Sequence, residues 1–157
     1  DLCRRQRQMC IRDRYKDSFL KVKNAGINVT IHAGEGDGVH SIQEALDNGA
    51  KRIGHGVRII EDISDDNELG PTADHILQNN IPLEVCITSN LHTNMYKNPQ
   101  DHPISRLHNL GFNISLNTDN RLMSNTSIDN ELNVAKAAGI EDPTSLLKYS
   151  ASDSFLN

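Results

Sequence analysis

Four side chains with the chemistry to bind a metal ion or carry a proton stand near the ends of apolar segments. They are His32, Glu35, His55 and Asp119. Histidine and aspartate are common zinc ligands. A carboxylate beside a metal-activated water can take up and deliver its proton, and an imidazole can orient that water. These residue types therefore indicate metal-assisted attack of water on a substrate.

Each of these residues has a simpler explanation when taken alone. A histidine after a strand is more often a structural residue, and Asp119 alone is better explained as a cap for the turn that follows. His32 is more informative because Glu35 follows it across a glycine-loosened turn. His55 lies between two glycines, which allow close approach of backbone and ligand. Their joint occurrence at three strand ends favours a shared site.

The elements that must position these residues alternate regularly along the chain. Buried strands are predicted at 28–32, 52–56, 82–87 and 112–116, from apolar runs bounded by turn residues. Helices are predicted from Tyr15 to Ala25-Gly26, at 41–48, 71–79 and 103–109, around Ile128 to Ala135, and from Asp142-Pro143. Ser41 and Glu44 have the spacing of a capping box. This α/β alternation predicts a parallel sheet.

The order of elements alone is compatible with two architectures. Four strands can form a small open sheet or half of a (β/α)8 barrel. In a barrel, side chains from distant strands converge over one mouth, whereas an open sheet concentrates its ligand at a single crevice. Because three of the four strand ends carry reactive groups, the barrel is favoured.

Composition narrows the function classes. The chain has 157 residues, of which 36% are hydrophobic and 24% charged, as in globular domains, and no apolar run reaches the roughly 20 residues of a membrane helix. Three cysteines without a paired spacing favour a reducing, cytoplasmic setting. The 21 acidic residues exceed the 16 basic ones, and much of the basic charge lies before Asp17, so the body of the chain is unsuited to nucleic acid.

The first fourteen residues lack any periodicity that joins them to the rest. They resemble translated sequencing-adapter sequence, so we expect residues 1–14 to be a non-native leader and the domain to cover 15–157. On this interpretation the natural protein continues upstream of Tyr15.

Four segments resemble, in order and spacing, the metal-dependent adenosine deaminase family of amidohydrolases. They are Thr30-Ile31-His32-Ala33-Gly34-Glu35, Arg52-Ile53-Gly54-His55-Gly56, Cys86-Ile87-Thr88-Ser89-Asn90 and Leu116-Asn117-Thr118-Asp119-Asn120. The resemblance implies an α/β fold that is the C-terminal half, strands five to eight, of a TIM-type (β/α)8 barrel. It also implies hydrolysis of adenosine, and of 2′-deoxyadenosine, to the inosine nucleoside and ammonia in purine salvage.

The resemblance further assigns roles to individual residues. His32 and Asp119 would bind Zn²⁺, and Glu35 would relay the proton of the attacking water to purine N1. His55 would orient that water and stabilise its charge. Gly34 and Asn120 would contact the substrate.

Two departures from the family pattern affect these expectations. Where the family commonly has a second aspartate facing purine N7, this chain has Asn120, whose amide can donate to N7. The family's His-X-His pair of zinc ligands occurs nowhere in the chain. Because a catalytic zinc normally has three protein ligands, we expect this polypeptide to lack the N-terminal half of the barrel and neither to retain zinc nor to deaminate adenosine alone.

The sequence is also compatible with other functions. Adenine deaminase and AMP deaminase belong to the same superfamily, and a non-catalytic, purine-binding barrel remnant is a further alternative. An open phosphate-binding domain is disfavoured, since the Gly34–Gly38 segment is acidic. The five remaining histidines are predicted to lie on the surface: His40, His75, His92, His102 and His108.

Overall fold

The computed structural model describes residues 17–147 and Phe155, which are arranged around one four-stranded parallel sheet. Its main elements, in chain order, are α1 (17–24), β1 (Val29–Ala33), α2 (Val39–Asp47), β2 (Ala50–His55), α3 (Pro71–Gln78), β3 (Leu83–Val85), α4 (Ile87–His92), α5 (Ile104–Asn109), β4 (Ile114–Leu116), α6 (Arg121–Ser124) and α7 (Ile128–Ala137). Short 3-10 helices lie at Val57–Asp62, Pro99–Asp101 and Pro143–Leu147. The predicted leader, 1–14, and Tyr15 lie outside the described residues.

The sheet has the spatial order β1-β2-β3-β4, and every neighbouring pair is parallel. The predicted α/β class and parallel sheet are therefore confirmed. Each strand adds beside the one before it, without the reversal of order that marks an open doubly wound sheet. This is the order of a barrel segment, and it brings the carboxyl ends of all four strands to one rim.

The two faces of the sheet differ in polarity because successive side chains alternate across a strand. One face is apolar and buried beneath the helices, with Ile31, Ile53 and Leu83 in its core. The other face carries polar residues, among them Arg52 and Glu84, whose Nη1 and Oε1 atoms form an ion pair at 3.0 Å. The polar face leads directly to the rim at which the candidate site residues lie.

The capping box predicted at Ser41 is wrong. Helix α2 begins at Val39 with Gly38 as its N-cap. The Ser41 hydroxyl instead donates to the Gly38 carbonyl at 2.8 Å and accepts the Gly34 N–H at 2.9 Å. A serine that looks like a helix cap from its spacing therefore fastens the turn after β1.

Strand and helix bounds differ from prediction mainly after β3. The predicted strand 82–87 is reduced to Leu83–Val85, and helix α4 begins at Ile87. The last predicted helix is a 3-10 helix, with Asp142 Oδ1 accepting the Thr144 N–H at 3.1 Å. Within the described part of the chain, no helix has both the length and the apolar character needed to span a membrane.

Candidate active site

The C-terminal rim of the sheet brings three of the predicted residues into one cluster. His32 Nε2 lies 3.4 Å from Glu35 Oε2, and His55 Nδ1 lies 3.6 Å from Glu35 Oε1. One ligand atom from each residue lies within 4.8 Å of the others, a spacing at which they could share a metal ion. The His32 and His55 rings meet edge to face at 4.6 Å. Strands β1 and β2, which are neighbours in the sheet, impose this convergence.

Asp119 joins the cluster from beyond β4. Its Oδ2 lies 3.9 Å from His55 Nε2 and accepts the Ser89 hydroxyl at 2.8 Å. His32, His55 and Asp119 line one cleft of about 330 Å³. The side chains of His32 and Asp119 are 43% and 42% exposed, whereas those of Glu35 and His55 are 5% exposed. The two predicted metal ligands are thus open to the cleft, and the two predicted catalytic groups are shielded beside them.

Two of these residues hold an unusual backbone conformation. His55 has φ of 66° and Asp119 has φ of 55°, both in the left-handed region. Residues other than glycine adopt that backbone conformation at a free-energy cost of about 1–3 kcal/mol, and such residues cluster at functional sites. His55 is the last residue of β2 and Asp119 lies three residues beyond β4, and both line the cleft.

Gly34 builds the turn that carries Glu35. It has φ of 69°, and a Cβ at this position would lie 2.6 Å from Ile42 Cδ1. Its N–H is donated to Ser41, and its carbonyl accepts the Arg58 N–H at 3.1 Å. Both backbone polar groups are therefore used within the chain, and the substrate contact expected at Gly34 stays a prediction.

Asn120 follows Asp119 and caps helix α6. Its Oδ1 accepts the backbone N–H groups of Leu122 and Met123, each at 3.1 Å. The capping oxygen is thereby engaged, which leaves the amide nitrogen as the part of the side chain with hydrogen atoms to donate. Leu122 and Met123 are 94% and 81% exposed, so α6 presents an apolar surface beside the cleft.

A fifth residue, Asn90, contacts the cluster from helix α4 and was given no role from sequence. It is completely buried, and its Nδ2 lies 3.2 Å from Glu35 Oε1 and 3.3 Å from His55 Nδ1. Its Oδ1 lies 3.2 Å from His102 Nε2. The polar run Thr88-Ser89-Asn90 after an apolar segment was the available signal, but spacing alone did not show where it points.

The prediction that His102 lies on the surface is wrong. Its exposure is 3%, and burial lowers the pKa of its imidazole to about 4. The other four histidines predicted to be surface residues are exposed, as expected. Cys86 lines the cleft, but burial, with a further contribution from the Asp119 charge, raises the pKa of its thiol far above the usual range. The Cys86 thiol therefore stays protonated at neutral pH.

Comparison with known proteins shows the family to which the chain is related. A family model described as "Adenosine deaminase" matches residues 6–154. The adenosine deaminase of Mycobacteroides abscessus is 43% identical over 124 residues, which is 76% of this chain and 34% of that protein. Adenosine deaminase 1 of Streptomyces coelicolor is 46% identical over 123 residues, 75% of this chain and 31% of the relative. The chain thus spans about a third of the length of these curated relatives.

Solved structures with the same fold are deaminases of the TIM-barrel superfamily. The crystal structure of an Arabidopsis N6-mAMP deaminase covers 90% of this chain and 41% of its own, with a TM-score of 0.72 and 25% identity. The crystal structure of an adenine deaminase from Arthrobacter aurescens matches 85% of this chain over 45% of its own length, with a TM-score of 0.59. Its sequence identity is 24%, so this likeness shows the fold alone. Since the family match extends over nearly the whole sequence and includes the clustered rim residues, the chain belongs to the adenosine deaminase family, whose enzymes are metal-dependent.

Proposed function

We propose that this chain supplies part of the active site of a zinc-dependent enzyme that hydrolyses adenosine, and 2′-deoxyadenosine, with release of ammonia. The observation that carries the proposal is the convergence of His32, Glu35 and His55 within 4.8 Å, with Asp119 against His55. The four strands would be strands five to eight of a (β/α)8 barrel. We place the enzyme in the cytoplasm, from its unpaired cysteine pattern.

The donor groups fit a zinc ion. His32 and Asp119 would hold it, since imidazole nitrogen and carboxylate oxygen are both zinc ligands and both side chains open onto the same cleft. When bound, zinc supplies a Lewis acid that activates water near neutral pH. No His-X-His pair exists in the sequence to add further ligands. We therefore propose that the 157-residue chain alone neither retains zinc nor turns over adenosine.

Glu35 and His55 would handle the proton and the charge of the attacking water. The Glu35 carboxylate contacts both histidines, and one of its oxygens also faces the Asn90 amide. A carboxylate held in this way can accept a proton from the water and deliver it to purine N1, provided it lies within hydrogen-bond reach of both. His55, beside Glu35 and Asp119, would orient the water toward C6, from which ammonia leaves.

Asn120 would bind the purine at N7. N7 accepts a hydrogen bond, and an amide nitrogen can donate one at any pH, whereas a carboxyl group must first be protonated. Because Asn120 Oδ1 caps α6, the amide is oriented with its donor away from the helix. Asn120 is thus expected to replace the second aspartate without loss of activity.

Adenosine is favoured over AMP by the charge of the cleft. The described residues that line it include no lysine or arginine to bind a phosphate, and Asp119 adds negative charge. The curated relatives are adenosine deaminases at more than 40% identity, whereas the solved N6-mAMP and adenine deaminases are 25% and 24% identical. These observations support a nucleoside substrate.

The test is a chimera in which this chain replaces the matched segment of the Streptomyces coelicolor relative. Ammonia release is measured with adenosine, adenine and AMP at equal concentrations. We expect adenosine to be preferred, and Glu35→Gln to abolish release while the exposed control Glu68→Gln leaves it unchanged. A folded chimera that prefers AMP or adenine, or that keeps its rate after Glu35→Gln, would refute the proposal.

A further inference from the structure

The buried amide of Asn90 connects the candidate catalytic pair to a histidine outside the cleft. Its nitrogen faces Glu35 Oε1 and His55 Nδ1, at 3.2 and 3.3 Å, and its oxygen faces His102 Nε2 at 3.2 Å. Asn90 is 0% exposed and His102 is 3% exposed. A buried polar chain of this kind has few alternative hydrogen-bond patterns, because each group that loses its partner cannot turn to water.

The donor and acceptor order of this hydrogen-bonded series is set at His102. His102 Nδ1 accepts the backbone N–H of Ile104 at 3.2 Å, so this nitrogen carries no proton. In a neutral imidazole the proton then lies on Nε2, and the pKa of about 4 keeps the ring neutral at ordinary pH. Nε2 must donate to Asn90, which turns the Asn90 oxygen toward His102 and the NH₂ group toward the cleft. The orientation of an amide is assigned from its partners in this way.

The inner end of the chain follows from the same logic. With its NH₂ group toward the cleft, Asn90 has two hydrogens and three acceptors in reach: Glu35 Oε1 at 3.2 Å, His55 Nδ1 at 3.3 Å and Met95 Sδ at 3.7 Å. The thioether sulfur is the most distant and the weakest acceptor, so the two hydrogens go to Glu35 and His55. His55 Nδ1 is then an acceptor, so the proton of the neutral His55 ring lies on Nε2. That nitrogen is the one that lies 3.9 Å from Asp119 Oδ2.

We propose that His102, acting through Asn90, is a positioning residue that orients Glu35 and holds the proton of His55 on Nε2, toward Asp119. The proposal rests on the proposed function only in treating Glu35 and His55 as the reacting groups. This arrangement would fix His55 Nε2–H as a hydrogen-bond donor and Glu35 as the proton acceptor before the substrate binds, as preorganised sites require.

The experiment must distinguish this positioning role of His102 from a purely structural one. Its Nδ1 satisfies the backbone N–H of Ile104 at the start of α5, and that contact alone could explain the residue. Two substitutions divide the ring's functions. Asparagine places a polar atom near the Nδ1 position and keeps the contact with Ile104. Glutamine reaches the Nε2 position and keeps the donor to Asn90.

The experiment measures imidazole nitrogen shifts by NMR in the ¹⁵N-labelled 157-residue chain, well above the ordinary histidine pKa of about 6.5. We expect His55 and His102 to carry their protons on Nε2. His102→Gln should keep the His55 Nε2–H signature, and His102→Asn should lose it. Protons on Nδ1 in the unsubstituted chain, or the reverse order of the two variants, would overturn the proposal.

Asn90→Leu provides a second, independent variant. Leucine has no hydrogen to donate, so His55 Nδ1, which lies 3.6 Å from Glu35 Oε1, should take up the ring proton, and the Nε2–H signature should be lost. An unchanged His55 signature in a folded Asn90→Leu variant would also overturn the proposal.

In the active chimera, His102→Asn should lower kcat by up to about 100-fold, the scale of a misplaced catalytic group, with KM little changed. If His102→Gln loses as much kcat as His102→Asn, the positioning role fails. A chimera that never releases ammonia would refute the deaminase assignment and leave the NMR result to decide this inference.

Discussion

Replacement of Gly34 by alanine tests whether the turn that carries Glu35 is as tightly enclosed as the structure shows. Gly34 has φ of 69°, and a Cβ there would lie 2.6 Å from Ile42 Cδ1 and 3.0 Å from the Gly56 Cα. Alanine in the left-handed region costs about 1–2 kcal/mol, and forcing extra volume into a packed core costs a further 1–3 kcal/mol or so. We therefore expect Gly34→Ala to lower the free energy of unfolding by about 2–5 kcal/mol.

Gly26 offers a matched control, because it has the same φ of 69° but no atom within 4 Å of its would-be Cβ. Gly26→Ala should cost only the backbone part, about 1–2 kcal/mol. Urea-induced unfolding of both variants, at unchanged slope, gives the comparison. Equal losses for Gly26→Ala and Gly34→Ala would show that the turn has room for a side chain, and would refute the close packing of Gly34 on Ile42.

Three further predictions concern buried polar groups. Glu131→Ala should lower the free energy of unfolding by about 1–3 kcal/mol per lost partner, because the buried carboxylate accepts the Thr88 N–H and the Thr126 hydroxyl. Urea unfolding measures this loss, and the control Asp129→Ala, on the exposed side of α7, should change stability by less than about 0.5 kcal/mol. Cys86 should resist alkylation at neutral pH in the folded chain and react in urea, since burial raises the pKa of its thiol; equal modification in both states, by peptide mass spectrometry, would contradict this. The imidazole of His102 has a pKa of about 4 in the folded chain, whereas an unfolded histidine has one of about 6.5. The free energy of unfolding should therefore fall as the pH drops from about 6.5 to about 4, by up to about 3 kcal/mol. In a pH titration of stability, His102→Gln should reduce this fall.

The sequence predicted the parts of the fold that depend on local pattern. Alternating apolar runs and helix signals predicted all four strands and the parallel sheet, and the short helix 103–109 differs from the observed α5 by one residue. Residue types at the strand ends also predicted the convergence of His32, Glu35 and His55. In these cases the chemistry or periodicity of a short segment carries the information.

The parts that were missed depend on contacts between distant segments. Asn90 meets Glu35 across 55 residues and His102 across 12, and no local pattern encodes either contact. Helix α4 was not predicted, and its first residue, Ile87, was assigned to the preceding strand. The N–H of Thr88 in this helix faces a Glu131 oxygen 43 residues away. Ser41 had the spacing of a helix cap, and only the folded turn shows that it bonds Gly34 instead.

The proposed site assigns metal binding to His32 and Asp119 and proton transfer to Glu35. Zinc content and ammonia release should be measured on the same preparations of the chimera and of its His32→Ala, Asp119→Ala and Glu35→Gln variants. We predict that the first two variants lose both zinc and activity, whereas Glu35→Gln keeps zinc and loses activity. Full zinc content in His32→Ala and Asp119→Ala, or loss of zinc in a folded Glu35→Gln variant, would contradict the proposed site.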